Sequence, residues 1–253
     1  MPERAHTLAG ALGVTLLCFS VVACEGPGMG SEKKENKSFT YSGEKLTISA
    51  GNSDVRLRAG DSGRTVRAVR TLKGKAGEDG NATWELAGST LRLRTECNGV
   101  SVSCAARYTI TVPENLPVEL RSTNGAISSV GLPQSQDITS SNATVRVEKA
   151  SGTVRLHVRD GNTEATGINA GSFSADTRNG RLKVVFDKAP RKVKATTTNG
   201  NLNVTLPAGE EPYRTRVKAE NGQANSSVRN TSGAERSLDV LSRNGSVRVD
   251  RAK

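Results

Sequence analysis

The chain has 253 residues, of which 34% are hydrophobic and only 3% aromatic, and a formal charge of +11. So little aromatic mass excludes a thick globular core and favours a thin one of Val, Leu and Ile, while plentiful Thr, Ser, Asn and Gly favour strands and turns over helices. The positive charge is dispersed and never interleaved with aromatics, which argues against nucleic acid and leaves two readings: a solvated exported surface, or contact with an anionic polymer or membrane surface.

Residues 1–23 read as a lipoprotein signal. The apolar run from Leu8 to Val22 is too short, and too interrupted by Gly10 and Gly13, to span a bilayer. Ala23 stands directly before Cys24, the small-residue-then-thiol pattern that lipoprotein processing requires. Cys24 is therefore the candidate lipidation site. Two acyl chains such as palmitate, at about 0.8 kcal/mol per buried CH2, suffice to hold a protein on a membrane. Residues 24–38 are polar and lack apolar periodicity, so a flexible tether is expected there.

Residues 39–117 are expected to form an irregular N-terminal β section. Ile48, Ala50, Val55 and Leu57 alternate around Asn52, and longer strand-like runs follow at Thr65–Gly74, Thr83–Gly88, Thr90–Glu96 and Arg107–Pro113. Two cysteines, Cys97 and Cys104, remain once Cys18 and Cys24 are assigned to the signal and the anchor. An exported compartment permits a bridge between them across a small loop, with free thiols as the alternative. A zinc site is disfavoured, because there is no CxxC and His157 is the one histidine after the signal.

Residues 118–253 carry a repeat. Asn124-Gly125, Asn179-Gly180, Asn199-Gly200, Asn221-Gly222 and Asn244-Gly245, with the near-copies Asn142-Ala143 and Asp160-Gly161, follow one another at intervals of 18, 18, 19, 20, 22 and 23 residues. Four residues before each stand Leu120, Ile138, Leu156, Ala175, Ala195, Val217 and Val240. Three after stand Ile127, Val145, Thr163, Leu182, Leu202, Ala224 and Val247. Each unit is thus strand, tight turn, strand, with one parity inward. The column two before the turn (Ser122, Ser140, Val158, Thr177, Thr197, Ala219, Ser242) is almost all small, which points to a cramped corner.

Two folds satisfy this pattern. One is a single-domain all-β parallel β-solenoid with coils of about 18–23 residues, each strand pairing with its equivalent one coil away. The other is an antiparallel β-sandwich of Asn-Gly hairpins. Recurrence of like residues at like positions favours the solenoid, because identical columns would then stack.

With those residues in view, the chain resembles the bacterial adhesin-like family of β-strand-repeat lipoproteins, a family of unknown function. The resemblance rests on TITVPENLPVELRSTNGAI (Thr109–Ile127), on the later T-x-NG-x-[VL]-x-[VL] units and on the lipobox. It implies a cell-surface β-solenoid with an adhesive or envelope-associated role, and it carries no catalytic residues over.

No catalytic constellation is expected. His157 sits between Leu156 and Val158 with opposite facing, so it reads as a solvated strand residue, and no column of carboxylates forms. No cofactor or metal ligand set stands out. Outward positions beside the apolar columns instead repeat Arg and Lys, and Arg146, Arg155, Arg178, Lys183, Arg216 and Lys218 are the candidate contacts for an anionic ligand. The expected function is that of a membrane-anchored extracytoplasmic lipoprotein acting by surface binding, with anionic cell-wall polymer or an envelope protein as partner. A β-helix enzyme acting on envelope polysaccharide and an accessory of envelope-stress signalling are the alternatives.

Overall fold

The computed structural model of the protein describes residues 32–98 and 103–253. The signal, Cys24 and the tether up to Ser31 lie outside the described residues. Seven strands open the described chain: β1 (Lys33–Thr40), β2 (Leu46–Asn52), β3 (Asp54–Ala59), β4 (Thr65–Gly74), β5 (Ala82–Ala87), β6 (Thr90–Thr95) and β7 (Cys104–Val112). Regular pairs follow, one strand on each side of a corner: β8 and β9 (Val118–Asn124, Ile127–Val130), β10 and β11 (Gln136–Asn142, Val145–Glu148), β12 and β13 (Val154–Asp160, Thr163–Ile168), β14 and β15 (Ser172–Asn179, Leu182–Phe186), β16 and β17 (Lys192–Asn199, Leu202–Leu206), β18 and β19 (Tyr213–Asn221, Ala224–Ser226), and β20 and β21 (Arg236–Asn244, Val247–Arg251). The described residues contain no α-helix, only a 3-10 turn at Lys75–Gly77.

Strands flanking a corner never pair with each other. β8 bonds to β10 and β2, and β9 bonds to β11 and β3, in parallel and in register. The hairpin sandwich is thereby excluded, and the fold is a flattened parallel solenoid of two facing sheets. One sheet (the first face) runs β18-β20-β16-β14-β12-β10-β8-β2-β6-β5; the other (the second face) runs β1-β4-β7-β3-β9-β11-β13-β15-β17-β21-β19. Ten strands at about 4.8 Å spacing give a rack roughly 43 Å long.

The core is the space between the sheets, filled by the predicted columns. Leu120, Ile138, Leu156, Ala175, Ala195 and Val240 face Ile127, Val145, Leu182, Leu202 and Val247, all but fully buried. In two rungs the volumes trade across the core. Leu156 is followed by the smaller Thr163 and Ala165, whereas Ala175 is followed by Leu182 and Val184. No single rung holds enough apolar surface to offset its ordering entropy, so each depends on the rungs above and below.

Two features depart from simple expectation. The rungs do not stack in chain order: β20 and β21 insert between β16/β17 and β18/β19, and the β4–β7 excursion lands beyond β2/β3, which pairs directly with β8/β9. Composition explains the first exchange. The inserted rung buries Leu238, Val240, Val247 and Val249, whereas the end rung offers half-buried Val217 and Ala219 and an exposed Ala224. The more apolar rung goes inside and the more polar one closes the stack, as terminal repeats do.

The second departure concerns the tether, expected to run to Ser38. β1 begins at Lys33 and pairs antiparallel with β4 over eight residues. Arg70 of β4 holds it there, with Nε donating to Glu35 Oε2 at 2.7 Å, Nη1 donating to Ala82 O at 2.7 Å, and the guanidinium 4.6 Å from the Trp84 ring centroid. Trp84 and Tyr108 close this end of the core, with ring centroids 6.3 Å apart. Nearby, Cys97 is bonded to Cys104, with Cα atoms 6.2 Å apart.

Apart from the half-buried Ala219, the small corner column is buried, but its hydroxyls do not all find partners. Ser140 Oγ, Thr177 Oγ1 and Thr197 Oγ1 are enclosed without a hydrogen bond. Val158 occupies the same column, so the shape is tolerated without the hydroxyl. Thr177→Val should therefore raise the free energy of unfolding by about 1 kcal/mol, since it removes an unsatisfied buried group at constant shape. Chemical denaturation would check this, and a loss of stability would show that the hydroxyl is bonded in solution.

Candidate functional site

Two surfaces carry organised polar side chains: the corner line and the outward face of the first sheet. At the corner, Asn52, Asn124, Asn142, Asp160, Asn179, Asn199, Asn244 and Asn221 stand in register. Most of them donate a side-chain N–H to the side-chain oxygen of the rung before: Asn124 to Asn52 (2.6 Å), Asn142 to Asn124 (3.0 Å), Asn179 to Asp160 (2.6 Å), Asn199 to Asn179 (2.7 Å), Asn244 to Asn199 (2.7 Å) and Asn221 to Asn244 (2.8 Å). Asp160 has no amide to donate, so the chain of bonds breaks between it and Asn142. The Asn179 N–H, ahead of Arg159, holds the Asp160 carboxyl below the usual carboxylate range.

The glycines let these corners approach. At Gly180 (φ +140°) a Cβ would lie 2.1 Å from Gly161 O, and at Gly200 (φ +147°) 2.0 Å from Gly180 O. The backbone bonds likewise: Gly161 N–H donates to Asn179 O, Gly180 N–H to Asn199 O, Gly200 N–H to Asn244 O and Gly245 N–H to Asn221 O. The line Asn124-Gly125, Asn179-Gly180, Asn199-Gly200, Asn221-Gly222, Asn244-Gly245 is therefore structural in geometry, with its polar atoms spent on neighbouring rungs.

The predicted basic set divides between opposite faces. Arg146 (β11) and Lys183 (β15) lie on the second face, with Glu164 between them in register. Glu164 accepts from Lys183 at 3.0 Å and meets Arg146 at 3.4 Å. These cations, Lys183 first, hold its carboxyl below the usual range against the opposing cost of burial. That trio is largely self-neutralised. Arg155 (β12), Arg178 (β14), Arg216 and Lys218 (both β18) lie on the first face. Arg155 has Asp137 and Ser174 as its neighbours across the strands, and Arg178 helps to depress Asp160.

What the structure brings together is the end of the first face. Lys192 and Lys194 of β16, and Arg214, Arg216 and Lys218 of β18, point outward on either side of β20. Lys192, Ser237 and Arg214 share one row, and Lys194, Asp239 and Arg216 the next. None of the five cations takes part in an ion pair among the described residues, whereas Arg94, Arg121, Arg146, Arg159, Lys183 and Arg248 all do. The acids nearby are few. Glu220 meets Arg243 at 3.6 Å, Asp176 accepts a hydrogen bond from Thr196, and Asp239 has one buried, unpartnered oxygen. Sequence reading missed Lys192 and Arg214, although K-x-K and R-x-R-x-K spacing was visible; only the exchanged rung order puts the two strands on either side of β20.

His157 is exposed on the first face, beside Thr139 and Asp176 in register. Among the described residues no group of three or more His, Cys, Asp or Glu side chains is arranged to hold a metal ion.

The family model described as Toastrack DUF4097 matches residues 44–250. No curated protein sequence matches the chain. Among solved structures, a candidate cell adhesion protein from Clostridium sporogenes is 10% identical over 88% of this chain and 100% of its own, with a TM-score of 0.37. A candidate adhesin from Bacteroides fragilis is 11% identical over 88% and 99%, with a TM-score of 0.40. One from Parabacteroides merdae is 12% identical over 87% and 97%, at 0.35. At these distances nothing about what those proteins bind is carried to this chain.

Proposed function

Because the chain belongs to the Toastrack DUF4097 family and folds as a rigid two-sheet rack, we propose that it is an extracytoplasmic surface-binding protein. It is lipid-anchored through Cys24 and engages an anionic envelope polymer. One observation carries this reading. Five cations, Lys192, Lys194, Arg214, Arg216 and Lys218, are gathered at one end of one sheet without ion pairs, whereas Arg121, Arg146 and Lys183 further along the rack are each paired with an acid. Unpaired charge on a rigid sheet raises the local concentration of a polyanion and releases its counterions on contact.

The anchor agrees with that placement. β1, the first described strand, lies at the edge of the second sheet opposite to β19. A lipid on Cys24 would hold the N-terminal end at the membrane and send the cationic end outward. No cofactor takes part, and the mechanism is the presentation of a rigid charged face.

Anionic envelope polymer fixed to a surface should capture the purified chain, and binding should weaken roughly tenfold or more between 50 and 200 mM salt. The double variant Arg216→Glu, Lys218→Glu should bind far less at equal thermal stability. Capture that ignores salt, or a double variant that binds like the parent, would remove the proposal.

A further inference from the structure

We infer that the ligand of this cationic end is a linear phosphodiester polymer of the poly(glycerol phosphate) type, lying along β18 across the width of the rack. The inference rests on the surface-binding reading above and goes further by naming the ligand's chemistry and track. Arg214, Arg216 and Lys218 occupy every second residue of β18, so all three heads stand on one face. Two residues of polypeptide contain six backbone bonds. In poly(glycerol phosphate), successive phosphorus atoms are also six bonds apart: P–O, O–C, two C–C, C–O and O–P. An extended strand repeats about every 6.6 Å, and an extended six-bond polymer, with its longer P–O links, has a slightly longer repeat that the flexible Arg and Lys side chains can follow, so each phosphate meets one cation.

The track cannot run the other way. Along the rack the outward row reads Glu119, Asp137, Arg155, Ser174, Lys194, Asp239, Arg216, with acids and a neutral serine mixed among the cations. Along β18 three cations follow one another uninterrupted until Glu220, which Arg243 engages and which ends the run. Asp239, the acid between Lys194 and Arg216 in register, has a shorter side chain than either, with its Oδ1 buried and unpartnered. Lys192 and Lys194, about 9.6 Å from the β18 row by strand spacing, add to the attraction.

Other polyanions fit less well. A polyuronate sets its carboxylates on rigid rings that turn from unit to unit and fall out of step with the row. Single-stranded nucleic acid has the same six-bond repeat, but no aromatic side chain faces outward on β16, β18 or β20 to stack its bases. Lipid headgroups of the anchoring membrane would lie at the opposite end of the rack from β18.

Calorimetric titration of the purified full chain with poly(glycerol phosphate), polygalacturonate, single-stranded DNA and anionic phospholipid vesicles, matched for charge, tests the inference. Poly(glycerol phosphate) should bind at least tenfold more tightly than the other three. Three phosphate contacts give a log–log salt slope of about −2, which is roughly a 16-fold loss from 50 to 200 mM salt. Arg216→Gln should weaken binding by about tenfold with an unchanged melting temperature, and Lys183→Gln, on the opposite face, should leave it unchanged. Equal or tighter binding of polygalacturonate, DNA or vesicles would overturn the phosphodiester track while leaving the surface-binding reading intact. Equal losses in the two variants would overturn the placement on β18. Absence of binding to any polyanion would remove both readings.

Discussion

Gly180→Ala is expected to lower the unfolding free energy by about 4 kcal/mol, the sum of positive-φ strain and a backbone overlap that cannot relax locally. The added Cβ would meet Gly161 O at 2.1 Å. Relief requires moving a corner away from its neighbour, yet Gly161 N–H and Gly180 N–H are both engaged in the rung-to-rung ladder at 2.9 Å. Opening that spacing lengthens the Gly161–Asn179 bond and the Asn179–Asp160 contact together, and pushes the corner against the next rung, to which Gly180 N–H is bonded. Gly171→Ala is the matched control, since a Cβ there would have no atom within 4 Å and its φ is ordinary. Urea denaturation of both variants checks the expectation. Equal stability for the two would mean that the corners are not in contact.

Phe173→Ala should cost about 3–5 kcal/mol, the range for removing a fully buried aromatic side chain. Phe173 and Phe186 pack edge to face with centroids 5.5 Å apart, at the end of the rung away from the corner. They belong to the rung whose first strand carries the small Ala175, and Val154 and Val193 are the register neighbours of Phe173. Phe173→Leu should recover roughly half of the loss, because it restores much of the buried surface but not the ring contact. Guanidinium denaturation separates the three proteins. A Phe173→Ala variant within about 1 kcal/mol of the parent would show that the return side of the rack is loosely packed.

Much of this architecture could be read from phase alone. Asn52, Asn124, Asn142, Asp160, Asn179, Asn199, Asn221 and Asn244 align in the sequence, and they pair in that alignment. Parity survives because every rung uses the same inward positions, so a slip by one residue would turn Leu and Val to solvent. Stacking order was hidden for the same reason. Any rung can pair with any other, and the choice falls to a comparison of apolar content between Leu238–Val249 and Val217–Ala224. β1 was hidden because KKENKS shows no apolar alternation; its backbone completes the edge of β4, and Arg70, far along the chain, secures it. Of the candidate site, the residue types were legible. Their separation onto two faces, and the neutralisation of Arg146 and Lys183 by Glu164, required the register of β11, β13 and β15.

The Asn-Gly corners have one more consequence, for how the molecule ages. An asparagine followed by glycine is where a polypeptide most readily sheds ammonia: the glycine nitrogen attacks the side-chain amide carbon, a cyclic imide closes, and water reopens it to aspartate or isoaspartate. Inside the stack both reactants are restrained. The amides of Asn179, Asn199 and Asn244 are tied to neighbours above and below, and the nitrogens of Gly180, Gly200 and Gly245 are committed to a carbonyl one rung on. Asn221-Gly222 sits on the last rung, where the amide has a neighbour on one side only and no carbonyl lies beyond, among the described residues, to occupy the glycine nitrogen. Among the corners, spontaneous deamidation should therefore begin at Asn221, and it would place a new carboxylate beside Glu220 at the cationic end of the rack.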